Sequence, residues 1–303
     1  MKKHPTIGLI GLDSSRSLAF AELLGARRAS GVSCKADIVM ACTGPVSRCE
    51  RDAERSLAHA RELRTRWGVT LVDHPEAVAR ACDWLFLLSA DARDRGWCFD
   101  NVVDAGKPMY LEKSLAESAG AARVMLDRAA RSGALIYSAS CVRFAPGWAD
   151  VKHALMKSDV VTDVELLGPT PPHDTLPSPM WYGIHLADLA IDALGVGWDS
   201  IGRTVTDEGE TTVVSWKDGR AVTLRGYRTG PTRYTAIMQQ GEQTTNHDLG
   251  YEPRACNAGL LNAIQDRLAA GKQDPATSAR MVEVVRLVEA MADADTLTCN
   301  EAV

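Results

Sequence analysis

Apolar runs and amphipathic segments alternate through the first 140 residues of the chain. The runs at 7–12 and 84–88 contain almost no polar positions, as in strands that are covered on both faces. The segment 14–28 places its apolar residues at helical spacing, and Ser14 or Ser15 is available to cap it. Repeated strand–helix units of this kind predict an α/β fold with a doubly wound parallel sheet.

The predicted elements of this region follow one another with short connections. Strands are predicted at 7–12, 36–42, 70–72, 84–88, 109–111 and 134–138. Helices are predicted between them at 14–28, 47–67, 75–81, 93–105 and 117–131.

The pattern changes after about residue 150. A strand at 160–167, a proline-rich loop at 168–179 and a helix at 182–194 come first, followed by strands at 200–206, 211–216, 221–227 and 234–239 and helices at 255–270 and 275–292. The close spacing of these strands, with a turn signal at 217–220, favours a mostly antiparallel, open sheet. We therefore expect two domains, at 1–140 and 141–303, with terminal helices that can pack back on the first.

Composition excludes several classes of protein. The formal net charge of −5 and the lack of a basic run argue against a nucleic-acid partner. No stretch approaches the ~20 apolar residues of a membrane span, and the N-terminus lacks the apolar core of a secretory signal. The eight cysteines show no metal-ligand spacing. We expect no metal site, and reduced thiols in a cytoplasmic protein.

The clearest candidate for chemistry is Lys113, which follows Glu112 at the end of the apolar run 109–111. Open parallel sheets bind ligands at the carboxyl ends of their strands. A cationic lysine there could polarise a carbonyl or stabilise an alkoxide. The structural alternative is an ion pair with Glu112 or with a helix end.

The first strand–helix turn is an incomplete dinucleotide fingerprint. Of the three glycines in G-x-G-x-x-G, only Gly11 is present, because Asp13 and Arg16 occupy the other two places. Ser14 and Ser15 could donate hydroxyls to a phosphate at the helix N-terminus, whereas Asp13 would cap the helix.

The other strand ends supply further candidates for cofactor binding. Thr43 lies where the fingerprint expects an acidic residue after the second strand, and Ser89 follows the fourth strand. Arg48 could bind the 2′-phosphate of NADP, so NADP is a candidate cofactor beside NAD. A lost or altered cofactor site remains the alternative.

Three segments resemble motifs of the Gfo/Idh/MocA oxidoreductases, a family named for glucose–fructose oxidoreductase, inositol dehydrogenase and a rhizopine-catabolism protein. They are AGKP at 105–108 with EK at 112–113, RFAP at 143–146 and WYGIHLAD at 181–188. The resemblance covers most of the chain and indicates a divergent member. It implies a dinucleotide-binding Rossmann domain, then a domain for substrate binding and oligomerisation, and NAD or NADP as cofactor.

The resemblance also implies roles for individual residues. Lys113 and His185 would flank the nicotinamide and the substrate, and His185 would exchange a proton with a hydroxyl. Ser114 replaces the proline of the family's EKP motif, and Trp181 replaces an aspartate one turn before His185. The absence of that aspartate weakens the expected proton relay.

Four further side chains are candidates for the same site. Tyr182 could act as an acid, and Trp181, Arg143 and His173 could contact the substrate. Core packing for Tyr182 and helix capping for Arg143 are the structural alternatives.

The expected function is hydride transfer between NAD(P) and a sugar, a cyclitol or a related small polar molecule. A nicotinamide-dependent epimerase or lyase is one alternative, and a cofactor-free small-molecule binding protein on the same scaffold is the other. A homodimer or homotetramer is expected, because open sheet faces are commonly covered by a partner subunit.

Overall fold

The computed structural model describes residues 4–31, 36–157, 161–294 and 297–298. The chain divides into two compact units. The first combines Met1–Ala139 with Leu260–Met281, and the second combines Ser140–Gly259 with Val282–Val303. The predicted domain boundary between residues 140 and 141 stays a prediction.

The first unit alternates strands and helices. Its strands are β1 (Thr6–Ile10), β2 (Asp37–Cys42), β3 (Thr70–Leu71), β4 (Trp84–Leu87), β5 (Met109–Leu111) and β6 (Ile136–Tyr137). Its helices before residue 140 are α1 (Arg16–Ala29), α2 (Glu50–Trp67), α3 (Pro75–Ala81), α4 (Ala92–Asp100) and α5 (Ala119–Ser132).

All pairings in this first sheet are parallel, and the strand order is β3-β2-β1-β4-β5-β6. This is the strand order of a dinucleotide-binding Rossmann fold. The chain adds β2 and β3 on one side of β1 and adds β4, β5 and β6 on the other, so the strand order reverses between β1 and β4. Ligands of such folds bind outside the carboxyl ends of the strands at that reversal. The turns after β1, β4 and β5 are therefore the places where a site is expected.

An aromatic cluster joins α1 to the centre of this sheet. The rings of Phe20, Phe86 and Tyr110 meet edge to face, with centroids 5.6 to 6.2 Å apart. All three side chains are fully buried. Edge-to-face contacts add to the free energy of burial, so this cluster fixes α1 against β4 and β5.

The second unit is built around a seven-stranded sheet. Its strands are β7 (Val161–Pro169), β8 (Trp198–Val205), β9 (Gly209–Trp216), β10 (Ala221–Tyr227), β11 (Thr235–Gln240), β12 (Gln243–Asp248) and β13 (Leu297–Thr298). Its helices are α6 (Trp148–Lys157) and α7 (Ile184–Leu194), and the division between the units falls within α8 (Pro253–Ala270) and α9 (Pro275–Asp293).

The order of the second sheet is β12-β11-β7-β10-β9-β8-β13. Most neighbours are antiparallel, but β7 pairs with β10 in parallel, and β8 pairs with β13 in parallel. Helix α7 packs on one face, against β7 and β10, where Leu166 and Leu224 are buried. Most residues of the opposite face are half-buried or exposed, and Val213 is one of them.

The predicted fold class is confirmed, including the hairpin between β9 and β10. Sequence analysis did not predict α6, β12 or β13. The six cysteines in the described part of the chain are buried and form no disulfide there, while Cys34 and Cys299 lie outside it. Across the described residues, no helix combines the length and apolar character needed to cross a membrane.

Candidate active site

Lys113 lies at the carboxyl end of β5, the fifth strand of the six in the first sheet. The amide of Glu112 donates to Leu87 O at 2.9 Å, which continues the β4–β5 ladder by one residue. Lys113 is buried, and the Lys113–Ser114 peptide bond is cis. The strand thus delivers this lysine to the edge where Rossmann folds bind their ligands.

Arg95 fixes the loop that carries Lys113. This arginine is fully buried in α4, and it donates to Ala90 O at 3.1 Å and also to Ser89 O and Ser114 O. Burial lowers the pKa of Arg95, while the Glu112 and Asp13 carboxylates act in the opposite direction. One guanidinium therefore joins the loop after β4 to the loop after β5.

Glu112 forms a buried ion pair with Arg16. The distance between Arg16 Nη1 and Glu112 Oε1 is 2.7 Å, and both side chains are almost completely buried. Arg16 is the residue that occupies the third glycine place of the fingerprint. The pair therefore connects the first turn of α1 to the end of β5.

The turn between β1 and α1 contains both a tight glycine and a buried acid. Gly11 has a φ of +78°, and a Cβ on it would lie 2.1 Å from Ser89 Oγ, so only glycine fits there. Asp13 Oδ1 accepts from Ala90 N at 3.0 Å, and burial raises the pKa of Asp13 to about 6. The prediction that Asp13 caps α1 is wrong, because its carboxylate is turned to the loop after β4 and the cap residue is Ser15.

The remaining cofactor candidates lie on neighbouring turns. The Ser14 hydroxyl accepts from Arg16 N at 3.3 Å, whereas the side chain of Ser15 makes no capping bond. Thr43 directly follows β2. The half-exposed Arg48 lies 2.9 Å from an oxygen of Asp94.

This donor set fits a pyrophosphate. The N-terminus of α1 offers amides and the hydroxyls of Ser14 and Ser15, and the Asp13 carboxylate is held at Ala90 N instead of at those amides. Cofactor binding at this turn stays a prediction, and only the predicted position of the Asp13 carboxylate differs in the structure.

In the second unit, four predicted site residues form one aromatic row. The ring centroids of His173 and Trp181 are 4.4 Å apart, those of Trp181 and Tyr182 are 5.5 Å apart, and those of Tyr182 and His185 are 5.3 Å apart. Trp181 and Tyr182 belong to a π-helical turn, Pro179–Gly183, that leads directly into α7. The row therefore begins in the proline-rich loop and ends on the first turn of α7.

His185 lies beside a serine. Its Nδ1 is 2.7 Å from Ser140 Oγ, and the amide of Ser140 donates to Asp188 Oδ2 at 2.8 Å. Both Ser140 and His185 are buried. No sequence pattern marked Ser140 as a site residue, because it lies 45 positions from His185 and only the fold brings the two together.

Arg143 is paired with acids of α7. Its Nη2 lies 2.8 Å from Asp192 Oδ1, and its Nη1 lies 3.8 Å from Asp188 Oδ1. Asp192 also accepts from Trp148 Nε1 at 2.9 Å. Although burial acts to raise the pKa of Asp192, Arg143 and Lys152 hold it below its ordinary value. The structure thus places Arg143 in an ion pair, and substrate binding by this residue stays a prediction.

Sequence reasoning missed three residues of these arrangements, namely Arg16, Arg95 and Ser140. A charged residue in a short amphipathic helix normally faces solvent, so nothing marked Arg95 as fully buried. The Arg16–Glu112 pair joins residues 96 positions apart. Only the strand order of the sheet brings them together.

Solved dehydrogenase structures superpose on nearly the whole chain. GenD2 from gentamicin A biosynthesis, in complex with NAD, is 15% identical, and the match covers 97% of this chain and 95% of that chain with a TM-score of 0.77. Myo-inositol 2-dehydrogenase from Lactobacillus plantarum is 14% identical, with coverages of 95% and 96% and a TM-score of 0.75.

A third structure is KijD10, a 3-ketoreductase from Actinomadura kijaniata with NADP and TDP-benzene. It is 13% identical, with coverages of 97% and 99% and a TM-score of 0.73. No protein-family model matches the sequence, and no curated protein matches it. These neighbours are Gfo/Idh/MocA-type dehydrogenases, and the chain has their fold.

Proposed function

We propose that the protein is an NAD(P)-dependent oxidoreductase that acts on CH–OH groups of a sugar, a cyclitol or a related small polar molecule. The observation that carries this proposal is the position of Lys113. It is a buried cation at the carboxyl edge of a Rossmann sheet, one strand away from the reversal of strand order. The fold shared with the NAD and NADP complexes of GenD2 and KijD10 supports the same conclusion.

The residues that would hold the cofactor lie on the turns after β1, β2, β4 and β5. They are Gly11, Asp13, Ser14, Ser15, Thr43, Arg48, Ser89, Glu112 and Lys113. The bound nicotinamide supplies the hydride acceptor or donor. The Ser14 and Ser15 end of α1 would bind the pyrophosphate, and Arg48 would face the 2′-phosphate of NADP.

Lys113 would stabilise negative charge on the substrate oxygen. A carbinol oxygen gains negative charge as its C–H bond is broken, and a fixed cation favours that change. Glu112 N, Ser114 O and the buried Arg95 hold the backbone on both sides of Lys113. The ammonium group would therefore need little reorganisation during the reaction.

His185 and Tyr182 are the proposed proton-handling groups. Each has a proton-bearing polar atom, and their rings are in contact in the aromatic row. Trp181, His173 and Arg143 are proposed to shape the substrate pocket. A tryptophan at position 181 provides an apolar surface where the family's pattern has an acid.

We also propose a cytoplasmic homodimer or homotetramer. The six described cysteines form no disulfide, which supports a reducing compartment. The open face of the second sheet supports self-association. One row across it contains Ile237, Glu165, Thr223 and Val213, which are half-buried or exposed, and it therefore offers a partly apolar surface.

Fluorescence titration of the purified protein with NADH and with NADPH tests the cofactor. Saturable binding of either is expected, and binding of neither at high concentration would reject the oxidoreductase. A panel of polyols, including myo-inositol and nucleotide sugars, is then followed by the absorbance of reduced nicotinamide. Product formation without lasting change in that absorbance would instead identify an epimerase or a lyase.

A further inference from the structure

The hydrogen bonds around His185 indicate which of its two ring nitrogens carries the proton. On its own helix, the nearest acid is Asp188, one turn later. That carboxylate accepts from Ser140 N at 2.8 Å and lies 3.8 Å from Arg143 Nη1. The group at the imidazole Nδ1 is instead the Ser140 hydroxyl, at 2.7 Å.

Ser140 is held by three contacts. Its amide donates to Asp188, and its Oγ accepts from Val142 N at 3.1 Å as the cap of the short 3-10 turn Cys141–Phe144. The third contact is the one to His185. Ser140 is only 1% exposed, so solvent does not compete for its hydroxyl proton.

The acceptor available to the Ser140 hydroxyl proton is a ring nitrogen of His185. Among the residues that the structure describes, His185 Nδ1 is the only acceptor within hydrogen-bond reach of Ser140 Oγ. If Nδ1 carried the imidazole proton, it would donate to Ser140, and the buried hydroxyl proton would lose its only acceptor. A buried donor without an acceptor is costly, so the arrangement in which Ser140 donates to Nδ1 is favoured.

We propose that Ser140 is the positioning residue of His185 and fixes its neutral form with the proton on Nε2. His185 then presents an N–H that donates a hydrogen bond to a substrate oxygen, and of the two proposed proton-handling groups Tyr182 is left to exchange the proton of the substrate hydroxyl. An aspartate at Nδ1 would impose the opposite tautomer, because a carboxylate only accepts. This inference rests on the proposed function, and it narrows the role of His185 within that function.

Nitrogen NMR of the full-length protein, labelled with 15N-histidine, tests the tautomer directly. The chain has seven histidines, and the spectrum of His185→Gln assigns the signal of His185. In wild-type protein whose His185 ring is neutral, the ring proton is expected on Nε2 and not on Nδ1. Ser140→Thr should keep that state, whereas Ser140→Ala should give a mixture. A neutral wild-type His185 with its proton on Nδ1 would overturn the proposal.

Activity on the best substrate of the polyol panel tests the donor role. The amide nitrogen of glutamine lies close to the place of Nε2, and that of asparagine lies close to the place of Nδ1. His185→Gln should keep kcat/KM within about tenfold of wild type, and His185→Asn should lose about a further tenfold or more. Equal losses in the two variants would contradict donation from Nε2.

The two tests separate this inference from the proposed function. If the wild-type protein shows no nicotinamide-dependent turnover, the proposed function fails. The 15N spectrum still decides where the proton of His185 lies.

Discussion

Lys113 is a charged side chain that the fold buries at the edge of a sheet, with its backbone held on both sides. A buried lysine at the carboxyl edge of a parallel sheet, where such folds bind their ligands, suggests a chemical role. The carboxylate of the neighbouring Glu112 forms a buried ion pair with Arg16.

Lys113→Ala is expected to reduce kcat/KM by roughly two to four decades, because it removes one fixed electrostatic group. Steady-state kinetics with the best polyol measures the change. Lys107→Ala, in the loop before β5, is the matched control and should leave turnover unchanged. Near-wild-type activity of the Lys113 variant would exclude this residue from the reaction.

The buried carboxyl group of Asp13 is expected to make the free energy of unfolding depend on pH. Burial raises its pKa to about 6, so the folded protein binds the proton more tightly than the unfolded chain. The contribution of Asp13 is therefore most favourable below pH ~4 and is lost as the pH rises through about 6. The ionised carboxylate costs up to about 3 kcal/mol at neutral pH, since one pKa unit corresponds to about 1.4 kcal/mol.

Asp13→Asn keeps the shape and the acceptor for Ala90 N without the charge. It should stabilise the protein at pH ~7.5, and the gain should shrink towards pH ~5. Urea unfolding at the two pH values measures the difference. A gain that does not depend on pH would show that the titration of Asp13 is not its cause.

At the scale of elements, sequence patterns predicted what depends on local periodicity. Most strands and helices have the expected positions, because their apolar residues repeat with the period of the element. β12 was missed because its residues are polar and mostly exposed, so no apolar alternation marks this edge strand. α6 has buried residues at Trp148 and Val151, a helical spacing that was present in the sequence but not recognised.

Contacts between distant elements could not be predicted in the same way. Motif order located Lys113 and His185, and the structure places each of them on the expected element. Arg95 contacts backbone carbonyls, and Ser140 contacts His185 through its hydroxyl. Contacts of these two kinds produce no periodic pattern in the sequence. Predicting them requires the strand order and the loop paths.

Arg95 joins the ends of β4 and β5, and its removal tests this connection. Arg95→Met should lower the free energy of unfolding by about 3–5 kcal/mol, because buried carbonyls lose their donor. Arg93→Met on the same helix is the control, since the Arg93 side chain is 42% exposed and surface pairs contribute about 1 kcal/mol or less. Equal losses in the two variants would show that the buried guanidinium does not stabilise the loops.

For the whole molecule, self-association through the open sheet face is the prediction with the clearest measurement. Val213 is 43% exposed on that face, and Val213→Glu should shift the protein to monomers in sedimentation velocity. Val124→Glu, at a 56% exposed position on α5, is the matched control and should leave the assembly unchanged. If the two variants sediment alike, this sheet face is not the contact.

The first unit is discontinuous in sequence, and this affects the order in which its parts are synthesised. Two amides at β6 bond to the later segment, since Ile136 N donates to Gln273 Oε1 at 2.9 Å and Ser138 N lies 3.1 Å from Met281 Sδ. About 120 residues of the second unit must be translated in between. At 5–20 residues per second, a ribosome needs roughly 6–24 s for that stretch. During this interval β6 lacks these partners. The nascent Rossmann sheet must therefore either complete this edge only after the later segment has been translated, or have the edge covered by another molecule until then.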